Sequence, residues 1–121
     1  MKGRILVVDD DDNLREIICT VLEDAEYDAL GAASGAEALA KLHQVERPQL
    51  ILLDLMMPSM SGYDVRQRLL QEPELASIPV VVMTASRGLD IASLAAAGIV
   101  YKPVDVRGLV SAVEGNLASA G

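Results

Sequence analysis

The chain has 121 residues, 51% of them hydrophobic and 23% charged, with a formal net charge of −8. That length supports one hydrophobic core, so a single domain over 1–121 is expected, and the acidity argues against direct binding to nucleic acid or an anionic membrane. Aromatic residues make up 2%, with no Trp or Phe, which requires an aliphatic core and excludes base-stacking platforms. Cys19 is the single cysteine, so no internal disulfide is possible, and its aliphatic setting reads as a small buried hydrophobe rather than a reactive thiol. No stretch reaches membrane-spanning length, and Met1-Lys2-Gly3-Arg4 with four apolar residues behind it does not read as a signal peptide. The cytoplasm is the expected compartment.

Ile5-Leu6-Val7-Val8 is a short buried-strand run ending at four consecutive aspartates, Asp9 to Asp12. Leu14, Ile17, Ile18, Val21 and Leu22 then mark one face of a helix, with Asp12 or Asn13 as its expected N-cap. A weaker strand is expected over Asp28–Ala33. Ser34 and Glu37 have capping-box spacing and open a second helix through Ala38, Leu39 and Leu42. Leu50-Ile51-Leu52-Leu53 is unbroken apolar chain between Pro48 and Pro58, too short for an ordinary helix, and reads as a central strand buried on both faces. It stops on Asp54. Ser61 is expected to cap a third helix with Val65 and Leu69 inward, ended by Pro73; Pro79–Thr84 is a fourth strand. A small-residue helix over roughly Asp90–Ala97 is expected to stop at Gly98. Ile99–Lys102 is a fifth strand, and Asp105 caps a last helix carrying Val106, Leu109, Val110, Val113 and Leu117. Alternating strands and helices with near-continuously apolar strands imply an α/β fold: a parallel sheet covered on both faces.

A carboxylate at the end of a core strand has a desolvation cost and little packing value, so Asp54 calls for a charged partner or a metal. Parallel strands deliver their carboxyl ends to one edge of the sheet, which should gather Asp9, Asp10, Asp54, Thr84 and Lys102. Three close carboxylates repel one another, and a hard divalent cation relieves that; an oxygen-only, acid-rich site suits Mg²⁺. An aspartate can also accept a phosphoryl group as an acyl phosphate, with the metal, Lys102 and the Thr84 hydroxyl neutralising or hydrogen-bonding the equatorial oxygens.

With Val7-Val8-Asp9-Asp10, Asp54-Leu55-Met56-Met57-Pro58 with Gly62, Thr84-Ala85 and Lys102-Pro103 in order, the chain resembles a receiver domain of bacterial two-component response regulators, of the chemotaxis-regulator-like kind. The likeness covers essentially the whole chain. It implies a flavodoxin-like, five-stranded doubly wound sheet of order 2-1-3-4-5. It implies Asp54 as the phosphoacceptor, and Mg²⁺ held by Asp10, Asp54 and the Met56 backbone carbonyl with Asp9 assisting. Thr84 would be the switch hydroxyl and Lys102 the phosphate contact, with a cis Lys102-Pro103 bond. The donor implied is a histidine kinase or histidine phosphotransfer protein. Two features depart from the family. The segment from Thr84 to Lys102 is a few residues short, mostly after Gly98. The aromatic residue often found three before the lysine is here Ile99, with Tyr101 expected on a different side of the strand.

His43, near a helix C-terminus, is no phosphodonor, so any phosphohistidine belongs to another protein. Met56, Met57 and Met60 read as loop packing. One rival is a Mg²⁺ phosphohydrolase with an Asp nucleophile; such enzymes carry a second acid two residues on, where this chain has Met56. Another is a degenerate receiver that acts as a phosphorylation-independent interaction module. A downstream protein, a lost output domain and a homodimer all stay open as partners.

Overall fold

The computed structural model describes residues 2–44, 47–86 and 94–117. Five parallel strands, β1 (Arg4–Val8), β2 (Asp28–Ala32), β3 (Leu50–Asp54), β4 (Val80–Thr84) and β5 (Gly98–Tyr101), form one sheet in the order β2-β1-β3-β4-β5. This is the expected flavodoxin-like order. Among the described residues the helices are α1 (Asp12–Asp24), α2 (Gly35–Gln44), α3 (Gly62–Leu70), a one-turn α4 (Pro73–Ala76) and α5 (Val106–Asn116).

The continuous apolar strands follow from burial on both faces. Every residue of β3 and β4 is buried. Alternate side chains feed two separate cores. Leu6, Val8, Ile51, Leu53, Val80 and Val82 pack with Ala38 and Leu42 of α2, Val65 and Leu69 of α3, and Leu75 of α4. Ile5, Val7, Leu50, Leu52, Val81 and Met83 pack with Ile18 and Leu22 of α1 and Leu109 and Val113 of α5. Each such buried aliphatic side chain is worth about 2 kcal/mol against exposure, so the central strands are fixed from above and below. The direction in which successive strands are added reverses at β1, which pairs in parallel with β2 on one side and β3 on the other. The crevice beyond the carboxyl ends of β1 and β3 is therefore the switch point where such sheets bind ligands.

Local expectations fare unevenly. Ser34 Oγ accepts from Glu37 N–H at 3.1 Å, and Ser61 and Asp64 form a reciprocal capping box on α3. Asp105 caps α5 through Gly108 N–H at 2.8 Å. The cap of α1 is Asp11, not Asp12 or Asn13: its carboxylate accepts from Leu14 N–H at 3.1 Å, and Asp12 already lies in the first turn. Pro73 does more than end α3, since it opens α4 at a position where no N–H is needed. Most of the helix expected over Asp90–Ala97 falls outside the described residues. The described remainder, Leu94–Ala97, is not α-helical: Ala95 has φ 51°. Gly98 opens β5 instead of stopping a helix. Tyr101 also differs from expectation. Residues two apart in a strand share a face, so it lies on the side of Ile99, with Val100 turned to the other core.

Candidate functional site

Three aspartates meet at the switch point. Asp9 follows β1 directly, Asp54 is the last residue of β3, and Asp10 lies beside them; oxygens of all three lie within 4.8 Å of one another. Asp9 is 0% and Asp54 2% exposed, whereas Asp10 faces solvent. The loops hold them. Asp9 Oδ1 accepts from Asp11 N–H at 2.9 Å, and its backbone carbonyl accepts from the Arg15 guanidinium at 2.8 Å. Asp54 Oδ1 accepts from Met56 N–H at 3.2 Å.

Lys102, one residue past β5, supplies the opposing charge. Its ammonium lies 3.1 Å from Asp9 Oδ2 and 3.4 Å from Asp54 Oδ1. The lysine is delivered by its own backbone, which donates to the Thr84 carbonyl at 2.9 Å, and the Lys102–Pro103 bond is cis. Burial holds the Asp54 carboxyl above its ordinary value; the Met56 N–H pulls the other way, the Asp9 charge adds to the rise and Lys102 opposes it. For Lys102 burial favours the neutral form, but the bonds to Asp9 and Asp54 prevail and its pKa is raised. Among the described residues three acids thus face one cation, which leaves the cluster incompletely neutralised. Its all-oxygen donors are the type a hard metal ion takes, so the residues present fit a metal site.

Thr84 ends β4, buried to 1% exposure, and its Oγ1 accepts from Ser86 N–H at 3.0 Å. It lies at the same sheet edge, in register with Tyr101, one strand from Asp54. Met56 is 69% exposed beside the carboxylates, while Met57 is buried and Met60 packs on the core, so the expectation of loop packing holds for two of the three. Gly62 is needed for close approach: a Cβ there would sit 2.4 Å from the Asp54 carbonyl oxygen and 2.7 Å from Leu55 Cα. His43 lies in the last turn of α2 and pairs with Glu72 at 2.9 Å, far in the fold from the acids. Cys19 is half-buried, and burial pushes its thiol up, away from the reactive form.

Sequence reasoning missed two arginines. Arg15 braces the Asp9 loop and pairs with Asp12 at 2.7 Å. Arg66 is buried to 4% exposure in α3, where a charged side chain reads as solvent-facing.

The family model described as the response regulator receiver domain matches residues 5–114. The chain is 41% identical over 85 residues to the DNA-binding response regulator MtrA of Mycolicibacterium smegmatis, covering 70% of this chain and 36% of that protein. It is 42% identical over 82 residues to the DNA-binding dual master transcriptional regulator RpaA of Synechocystis, covering 68% of this chain and 34% of that protein. The chain thus spans about a third of the length of the curated relatives it matches. Among solved structures, the chemotaxis protein CheY4 of Vibrio cholerae superposes with a TM-score of 0.89 at 26% identity, over 97% of this chain and all of that one.

Proposed function

The chain belongs to the response regulator receiver domain family, and on that premise we propose that it is a Mg²⁺-dependent phosphoacceptor switch whose acceptor is Asp54. Receiver domains are signalling domains of two-component systems. The observation that carries the residue-level reading is the convergence of Asp9, Asp10 and Asp54, with Lys102 bridging two of them.

The donor is the phosphohistidine of a kinase or phosphotransfer protein. A carboxylate oxygen of Asp54 attacks phosphorus, the P–N bond breaks, and the leaving imidazole keeps the electron pair and takes up a proton. Among the described residues both protein contacts of the carboxylate go to Oδ1, so Oδ2 would be the attacking oxygen. Asp10, Asp54 and the Met56 carbonyl would hold Mg²⁺ with help from Asp9, and the ion would neutralise charge on the transferring group. Lys102 moves from carboxylate counter-ion to phosphoryl contact. The Thr84 hydroxyl turns to donate to a phosphoryl oxygen, and the Ser86 N–H that it accepts follows, which redirects the chain after β4 and alters the surface that a downstream protein or output domain reads. Attack of water on phosphorus later returns inorganic phosphate and the Asp54 carboxylate. Turnover is confined to the domain's own modification, and the cytoplasm is the compartment where such a relay would run.

Intact mass after incubation with acetyl phosphate and Mg²⁺ tests this reading. One added phosphoryl group is expected in the parent, lost with time and absent from Asp54→Asn. No adduct at any Mg²⁺ concentration would sink the phosphoacceptor and leave an interaction module.

A further inference from the structure

Arg66 stands out as a deeply buried cation with no ion pair among the described residues. Its Nε donates to the Leu94 carbonyl at 2.8 Å and one terminal nitrogen to the Ala95 carbonyl at 3.2 Å, while the other terminal nitrogen is buried without a partner among the described residues. Burial pulls the guanidinium below its ordinary pKa. A methionine would fill the same space without that desolvation cost, so among the described residues the charge has its use in what its donors hold. They hold the chain at the left-handed turn of Ala95, just ahead of β5.

The N-terminal residue of α3 touches the acceptor. Gly62 packs on the Asp54 carbonyl, and Arg66 comes one turn later on the same helix. Beyond Ala95 the chain is pinned by Ala97 N–H to the Val80 carbonyl at 2.8 Å, runs through β5, and delivers Lys102 to Asp9 and Asp54. β5 has four residues and a single neighbouring strand, so its own ladder fixes Lys102 weakly. We infer that Arg66 is a positioning residue for phosphoryl transfer: α3 acts as a strut that packs on Asp54 through Gly62 and, one turn on, sets β5 and Lys102 through the Arg66 grip on Leu94 and Ala95. This inference rests on the phosphoacceptor reading.

The test uses the intact chain with Arg66→Met, Arg66→Lys, and Leu42→Ala as a core variant outside the strut. Two quantities are read: the acetyl phosphate labelling rate across a Mg²⁺ titration, and amide exchange of Ala97 and Lys102 without Mg²⁺ or phosphodonor. Arg66→Met is expected to slow labelling about ten-fold and speed both amides about ten-fold, with half-saturating Mg²⁺ within about two-fold of the parent. Arg66→Lys, which keeps charge and stem and remains readable should the Met variant not fold, is expected to fall between. Leu42→Ala should lose comparable thermal stability and label at the parent rate. Parent-like labelling in the Arg66 variants, or an equal loss in Leu42→Ala, overturns the inference. So does unchanged exchange at Ala97 and Lys102, whatever the chemistry does. A parent that never labels sinks the phosphoacceptor reading instead, and the exchange result then decides the strut alone.

Discussion

The centre of the sheet and its β5 edge contribute opposite qualities to one site. β1 and β3 have neighbours on both sides and cores on both faces, so Asp9 and Asp54 are held where packing puts them. Electrostatically that placement is poor, because buried carboxylates face one another. β5 has one neighbour, and of its four residues only Val100 is buried. Its cation, however, lands where two carboxylates attract it. The centre supplies geometry and needs charge; the edge supplies charge and needs geometry. That division explains why Lys102 is tied to the acids directly, while the chain leading to it is tied down elsewhere, at Thr84, Val80 and Arg66.

The largest expected effect comes from breaking the geometry of the centre. Gly62→Ala would place a methyl against the Asp54 carbonyl and Leu55 Cα, backbone atoms with no room to retreat. A loss of about 3 kcal/mol by denaturant unfolding is expected, with labelling of Asp54 slowed in whatever remains folded. A variant as stable as the parent would mean that the acceptor loop is softer than its packing implies.

Much of the centre is legible in the sequence, because two-sided burial leaves a plain trace. Leu50–Leu53 and Val80–Met83 are apolar without interruption, and a strand that ends on Asp54 advertises chemistry. Details set by competition between like groups are not. The sequence points to Asp12 or Asn13 as the cap of α1, and only the path of the backbone selects Asp11 from the run of aspartates. Nor is the edge legible. Ala95-Ala96-Ala97 has the composition of a helix, and no Gly or Asn marks the left-handed turn at Ala95. Arg66 follows Val65 in α3 as any solvent-facing charge would; its value comes from carbonyls distant in the chain.

The second effect tests the exchange between the two regions. Lys102→Met removes the cation and keeps most of its stem. Without a divalent ion the acids lose their counter-charge, and a cost of about 2 kcal/mol is expected. Saturating Mg²⁺ should restore most of it, since a bound ion at one hundred times its Kd stabilises by about 2.7 kcal/mol. Asp54→Asn should show the reverse pattern, tolerant of Mg²⁺ removal and little helped by its return. If Mg²⁺ leaves both variants unmoved in thermal unfolding, the acid cluster is not a metal site.

The smallest effect is read in pH. The Asp54 carboxyl is raised in the folded state, mainly by burial, so the native protein binds this proton more tightly than the unfolded chain. Its contribution is fully present below the ordinary carboxylate value and is lost as pH rises through the raised folded value. One group can change stability by at most about 1.4 kcal/mol per pH unit, and only inside that window. Other carboxylates run the opposite way: Glu37, although burial raises it, is held below its ordinary value by Lys41 and the Ala33 backbone, so its stabilisation fades as pH falls. The Asp54 part therefore has to be isolated by subtracting the Asp54→Asn profile, measured without Mg²⁺, from that of the parent. The difference should decline with rising pH across the window and be flat outside it. Lys102 lowers the Asp54 pKa, so taking the same difference in a Lys102→Met background should carry the decline to higher pH. A difference that rises with pH in the parent would mean that Lys102 and the Met56 N–H more than offset burial, and the acid centre would then be neutralised before any metal arrives.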